Sequence, residues 1–156
     1  NPDLAKITFY IGIVMYFVLM PFIVKKVFIK KDIKAPLLPT MTIAAAPGGL
    51  CLAAYINSFD EKSIGFITFM VILSQVYYFL VLINIPKAME KGFFPSYSAF
   101  TFPLIITALA LKLSNKVLEN SFLNILINFE VLVAVLITAY VLIKYLKFLI
   151  NQCKTK

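Results

Sequence analysis

The fold of this chain is decided by the stretch PSYSAFTFPLIITALALK, residues 95–112. A helix needs about 17–25 residues to cross the hydrocarbon core of a bilayer, and this stretch is long enough. Its first half carries four hydroxyl groups and two phenylalanines, and Pro103 lies inside the apolar run. Hydroxyls and a proline at membrane depth are tolerated where protein or water covers them, not against lipid. The stretch is therefore predicted to line a protein interior or a pore.

The composition places the rest of the chain in a lipid bilayer as well. It is 62% hydrophobic and 14% charged, whereas soluble domains average about 45–50% and about 25%. The net charge of +8 comes from lysines between apolar runs. Lysines so placed are typical of membrane topology signals, not of a nucleic-acid surface. The sequence has no histidine and no nucleotide or metal motif, so we predict no catalytic site, no metal site and no cofactor.

Five apolar runs are long enough to span the membrane. We predict an all-α membrane protein with transmembrane helices at about 7–28, 38–57, 64–85, 96–113 and 122–149. Five lysines lie at the end of the first run and in the loop after it, and the end of the fifth run and its tail are also rich in lysine. The loop between the second and third runs has only Lys62 beside Asp60 and Glu61. Because cytoplasmic loops carry an excess of lysine, the N-terminus is predicted outside and the C-terminus in the cytoplasm.

An internal repeat relates the second and fourth runs. Pro39 and Pro47 in the second correspond to Pro95 and Pro103 in the fourth, with an offset of 56 residues in both cases (39 to 95 and 47 to 103). Each of these runs is followed by a bulky aliphatic run, so runs two to five are interpreted as two copies of one hairpin. Pro47 and Pro103 are predicted to kink their helices, because proline removes a backbone hydrogen bond from a helix interior.

Polar and aromatic residues of the two proline-containing runs are candidates for the lining of a path. As neutral donors, the hydroxyls could solvate an anion, or they could donate to carbonyl groups of their own helix; they belong to Thr40, Thr42, Ser96, Ser98, Thr101 and Thr107. Phe102, beside Pro103, is either a hydrophobic plug in a narrow pore or a packing residue. The small residues Gly48 and Gly49 equally fit close packing between internal helices.

Glu130 lies inside the fifth run. A charge at the centre of a bilayer costs about 2.5–3.5 kcal/mol on insertion scales. Glu130 is therefore either an intramembrane carboxyl group, protonated or paired with a neighbouring helix, or a residue that reaches interfacial water beside Asn124 and Asn128. The sequence leaves both alternatives open.

Parts of the chain resemble the tellurite-resistance/dicarboxylate transporter family, which includes the bacterial tellurite-resistance permease, fungal malate and sulfite carriers and plant slow anion channels. The signature of its ninth helix is similar to the stretch SAFTFPLIITALA, residues 98–110. The start of its seventh helix is similar to LLPTMTIAAAPGG, residues 37–49, with Gly48 where the family often has a second proline. Its last helix is similar to LIKYLKFL, residues 142–149.

The resemblance implies ten helices in five hairpins, arranged with quasi-five-fold symmetry around one pore. Inner helices line the pore and outer helices face lipid. This chain would then be helices six to ten, one outer helix followed by two inner/outer hairpins, and an N-terminal half or a second chain would complete the pore. The resemblance also implies a homotrimer with one pore in each protomer, and a phenylalanine gate at Phe102 or, as second choice, Phe100.

We therefore expect transport of small anions, inorganic or C4-dicarboxylate and including tellurite or sulfite, across a bacterial inner membrane. The inner helices would supply a weakly polar path, and the basic cytoplasmic loop would concentrate anions. The alternative is a non-transporting membrane scaffold or subunit whose polar helices are buried against a partner chain. Because the first residue is Asn1 and not Met, we expect the chain to be part of a longer transporter.

Overall fold

The computed structural model describes residues 2–30 and 33–154, and every regular element in these ranges is helical. Helix α1 spans Pro2–Val24 and continues into a π-helical turn, Lys25–Ile29. The remaining α-helices are α2, Ala46–Ser58, α3, Ile64–Met89, α4, Thr101–Leu118, and α5, Ser121–Lys154. Two 3₁₀ segments lead into α2 and α4, and they cover Ala35–Ala45 and Pro95–Phe100.

The five predicted membrane spans are confirmed. The helices that are long and apolar enough to cross a membrane are Asp3–Ile29, Ala35–Ser58, Ile64–Met89, Pro95–Leu118 and Ser121–Lys154. Each contains the run predicted from the sequence and most extend past it, because polar residues such as Lys116 continue the helix beyond its apolar part. The fold is therefore the all-helical membrane bundle that the composition predicts.

The second and fourth spans form the centre of the bundle. Half of the apolar stretch of each is buried, compared with 17% in the first span, 33% in the third and 22% in the fifth. Their helices, α2 and α4, pack along each other, while α1 packs on α2 and α5 packs on α4. The chain thus has two internal and three external spans, in agreement with the inner and outer helices expected from the sequence.

Both inner spans are built in the same way. Each begins with a 3₁₀ segment and changes to an α-helix just before a proline, so that Pro47 and Pro103 lie in the first turns of α2 and α4. Proline is tolerated there because N–H groups of the first turn have no partner within the α-helix. The change of helix type therefore falls where the sequence predicts kinks, and the 56-residue repeat (47 to 103) has a counterpart in the backbone.

The two inner helices approach each other closely at Gly49. A Cβ atom added there would lie 3.2 Å from the carbonyl oxygen of Ile106 and 3.3 Å from the Cα atom of Thr107. At Gly48, an added Cβ would lie 3.1 Å from the hydroxyl oxygen of Tyr16 on α1. Small residues in α2 thus allow close packing on two sides, as is common between membrane helices.

Candidate functional site

One face of the fourth span is left uncovered by the described part of the chain. Its exposed side chains recur every three or four residues and therefore share one side of the helix; they are Ser98, Phe102, Ile105, Leu109 and Lys112. We call this set the open face of α4. It combines a hydroxyl, an aromatic ring and aliphatic side chains with a lysine at one end, and it is free to line a path or to contact a further helix.

Phe102 stands on the open face of α4. Its side chain is 53% exposed, while the following residue, Pro103, is buried. Phe102 is the second residue of α4 and directly follows the change from 3₁₀ to α-helix. Phe102, the first choice for a gate, thus lies on a surface that the described part of the chain does not cover.

Phe100, the second choice for a gate, lies in a different environment. It is 0% exposed and belongs to the hydrophobic core with Leu104. Its ring centroid is 5.0 Å from that of Tyr97. A ring held in the core contributes to packing and is not available to the open face of α4.

Three of the candidate hydroxyls are at least partly exposed and bond within their own segment. The hydroxyl of Thr40 donates to the carbonyl of Leu37 at 2.6 Å, that of Thr101 to Ser98 at 2.8 Å, and that of Ser98 to Pro95 at 3.3 Å. A hydroxyl in such a bond can rotate its proton toward another acceptor. These side chains therefore keep the capacity to donate to a ligand.

Thr42 joins the two inner spans. Its buried hydroxyl lies 2.6 Å from the carbonyl oxygen of Ala99 and 2.8 Å from that of Pro39, and can donate to either. Ala99 is four residues before Pro103, which has no N–H to donate to that carbonyl. The Thr42 hydroxyl therefore supplies this carbonyl with a donor that Pro103 cannot provide. This is the protein cover that a proline at membrane depth requires.

Two further hydroxyls also bond to the backbone. Ser96 donates to the carbonyl of Pro36, which makes a second link between the 3₁₀ segments. Thr107 is buried, and its hydroxyl lies 3.0 Å from the carbonyl oxygens of both Pro103 and Leu104. Among the predicted lining residues, Thr42 and Thr107 thus lie inside the bundle, whereas the other four lie at or near its surface.

Glu130 lies inside the bundle. Its side chain is 0% exposed, and Gln75 and Tyr78 of α3 lie beside it. With a rise of 1.5 Å per residue, it is about 14 Å along α5 from Ser121. Glu130 is therefore an intramembrane carboxyl group, and the alternative in which it reaches interfacial water is wrong. Gln75 and Tyr78 were not among the residues predicted from the sequence, although their spacing of three residues places them on one side of α3.

The comparison with known families decides what kind of protein this is. A family model described as voltage-dependent anion channel, SLAC1, matches residues 3–146. The chain belongs to the SLAC1 family. The match includes both inner spans and the open face of α4, and it confirms the resemblance found in the sequence. No curated protein and no solved structure matches the chain.

Membership of the SLAC1 family fixes the class of activity. The family consists of anion channels and not of enzymes, and its members are embedded in membranes. In the described ranges, residues 2–30 and 33–154, no group of three or more His, Cys, Asp and Glu side chains could hold a metal ion. The residues that matter for a SLAC1-type activity are therefore those that could contact a passing anion.

Proposed function

We propose that this SLAC1-family chain forms part of a pore for small anions, with Phe102 as the gate. The observation that carries the proposal is the half-exposed ring of Phe102 on the open face of α4, next to the buried Pro103. An aromatic ring in a narrow pore can block it by its size and by excluding water. The anions are small inorganic ions or C4-dicarboxylates, and Thr40, Ser96, Ser98 and Thr101 contribute to the lining.

The chemistry of the open face of α4 suits the passage of an anion better than tight binding of an anion. Ser98 offers a neutral donor, with Thr101 near it, and the exposed positive charges of the fourth span, Lys112 and Lys116, lie toward its far end. A pore must bind an ion weakly enough to release it, and neutral hydroxyls meet this condition better than a buried charge. The lysines around Lys25 and Lys30 would raise the local anion concentration at the cytoplasmic mouth.

We also infer that further inner/outer hairpins complete the pore, because two inner helices cannot surround a path. Each residue of the contact between Thr42 and Ala99 has an equivalent in the other inner span, 56 residues away. One repeat later, Ser98 corresponds to Thr42 and is exposed. One repeat earlier, Ile43 corresponds to Ala99 and is also exposed. If each inner span contacts the next one in this head-to-tail way, successive spans form a ring when the rotation between them closes.

The missing hairpins would come from an N-terminal half or from a second chain. A homotrimer of complete pores in a bacterial inner membrane is the assembly that the family resemblance implies. In that assembly α1, α3 and α5 face lipid or neighbouring protomers. The proposal places the anion path between the inner helices of one protomer and not between protomers.

Substitution of Phe102 by alanine tests the gate. In the complete protein reconstituted in lipid, we expect Phe102→Ala to raise anion conductance on the order of tenfold, which corresponds to about 1.4 kcal/mol of barrier. The matched control is Phe69→Ala, because Phe69 lies on the outer helix α3 and is 52% exposed. We expect this control to leave the conductance unchanged.

Two outcomes would contradict different parts of the proposal. If folded Phe102→Ala protein conducts like wild type, Phe102 is not the gate. If neither wild type nor variant passes any anion, the transport function itself is wrong. Phe100→Ala is a further comparison, and we expect it to lower the yield of folded protein, because removal of a core phenylalanine costs about 3–5 kcal/mol.

A further inference from the structure

A cluster of unpartnered oxygen atoms lies between α3 and α5. Among the described residues, no hydrogen-bond partner is found for the two carboxyl oxygens of Glu130, the amide oxygen of Gln75 or the hydroxyl oxygen of Tyr78. Glu130 and Tyr78 are fully buried, and both α3 residues adjoin Glu130. Buried polar groups nearly always have hydrogen-bond partners, so a cluster of this kind needs a chemical explanation.

The protonation state of Glu130 determines how many donors this cluster has. An ionised carboxylate only accepts hydrogen bonds, so the donors available to it here are the Tyr78 hydroxyl and the amide N–H groups of Gln75. A buried carboxylate without a positive partner also pays a large desolvation cost. A proton on Glu130 removes the charge and adds a donor that can serve the unpartnered amide oxygen of Gln75, because a carboxylic acid O–H can donate to a neighbouring oxygen.

The helices packed around Glu130 supply no cation to it among the described residues. From α3 the titratable neighbour is Tyr78. On α4, Lys112 and Lys116 are exposed in a surface groove toward the start of α5, and neither is a partner of the carboxyl oxygens. In the second 3₁₀ segment the titratable group is Tyr97, whose hydroxyl bonds to backbone carbonyls after α3. A proton is therefore the simplest positive charge for this position.

We propose that Glu130 is a proton-binding site inside the membrane, with Gln75 and Tyr78 as its hydrogen-bond partners. The proton on one carboxyl oxygen is donated to the amide oxygen of Gln75, and the Tyr78 hydroxyl donates to the other carboxyl oxygen. Bound in this way, the proton links α3 to α5. Its loss leaves a buried negative charge beside Gln75 and Tyr78, so the contact between these α3 side chains and α5 is coupled to proton binding.

Infrared spectroscopy of the complete protein in lipid tests this site. Wild-type protein at neutral pH should show the C=O stretch of a protonated carboxylic acid. Glu130→Gln should abolish this band, whereas Glu90→Gln, the same change at an exposed position, should retain it. Exposed carboxyl groups are ionised at neutral pH and give no such band. Gln75→Leu should shift the band, because it removes the acceptor of the carboxyl proton.

Absence of the band from wild-type protein at neutral pH would overturn the proposal, and so would a band that survives Glu130→Gln. If Glu130→Gln does not fold, Gln75→Leu decides the matter, since an unshifted band contradicts the assigned hydrogen bond and a shifted band supports it. The measurement requires no anion transport. Its outcome is therefore independent of whether Phe102 is a gate or the chain a pore.

Discussion

Gly49 sets the distance between the two inner helices. The atoms nearest to an added Cβ belong to the backbone of Ile106 and Thr107, not to flexible side chains. A methyl group could therefore be accommodated only by moving a helix. Helix association in a bilayer depends on van der Waals packing, because lipid removes most of the hydrophobic driving force. Loss of this close contact would not be compensated elsewhere.

We expect Gly49→Ala to destabilise the protein by about 1–3 kcal/mol, the usual cost of overpacking. Gly12→Ala is the matched control, since a Cβ there meets nothing within 4 Å. Alanine in place of glycine inside a helix stabilises by roughly 0.5–1 kcal/mol, so the two substitutions should have opposite signs. Thermal unfolding in detergent measures both. Equal stability of the two variants would contradict the close approach at Gly49.

At the same scale, residue type could not tell buried hydroxyls from exposed ones. Thr42 and Thr101 both follow a proline-containing start of an inner span, yet Thr42 is buried and Thr101 is partly exposed. Phe100 and Phe102 differ in the same way. Which side of a helix is covered depends on the neighbouring helices, and a single sequence specifies their positions only indirectly. The sequence could therefore identify the candidate residues but could not separate the buried ones from the exposed ones.

At the scale of elements, the two 3₁₀ segments and the hydrogen bond between them hold the inner spans together. The Thr42 hydroxyl donates to the carbonyl of Ala99, to which Pro103 has no N–H to donate. This bond joins two spans, and its donor, the Thr42 hydroxyl, is buried. Its contribution should therefore exceed that of a hydroxyl bonded within its own segment.

Thr42→Val should destabilise the protein by about 1–3 kcal/mol, because it leaves the partly buried carbonyl of Ala99 without this donor. Thr40→Val is the control, since Thr40 is partly exposed and donates to Leu37 in its own segment; we expect a change within about 0.5 kcal/mol. Chemical or thermal unfolding of both variants in detergent would show the difference. If both variants were equally stable, the link between the spans would have no energetic importance.

The elements themselves were largely predictable. Each span is an apolar run of bilayer length, and Pro47 and Pro103 marked where the helix changes. The 3₁₀ geometry was not predictable, because 3₁₀ and α-helices differ by one residue in hydrogen-bond spacing. The hydrogen bond of Thr42 with Ala99, which joins the two 3₁₀ segments, was not predictable either. Local sequence contains no direct signal for such contacts.

At the scale of the whole molecule, charge is distributed unevenly between the two ends of the bundle. The turn after α1 and the end of α5 carry lysines, whereas the loop between α2 and α3 carries Asp60 and Glu61 beside Lys62. Because lysine-rich loops stay in the cytoplasm, we predict that the start of α2 and the end of α5 lie on that side. The 3₁₀ segments then lie at the cytoplasmic half of the inner spans.

Cys153 provides a test of this orientation, because it is exposed at the end of α5. A membrane-impermeant thiol reagent should label Cys153 in inside-out vesicles and not in right-side-out vesicles. Glu61→Cys in a Cys153→Ser background is the control and should react from the opposite side. Labelling of Cys153 in right-side-out vesicles would reverse the assignment.

The 3₁₀ segment Pro95–Phe100 gives the fourth span a torsional degree of freedom. A 3₁₀ helix turns about 120° and rises about 2.0 Å per residue, against about 100° and 1.5 Å in an α-helix. Rewinding one residue would therefore rotate everything beyond it by about 20° and shorten the span by about 0.5 Å. Ser96 and Tyr97 anchor the start of the segment by hydrogen bonds, while Phe102 lies just past its end. Small changes of helical pitch in six residues would thus swing the ring of Phe102 about the helix axis.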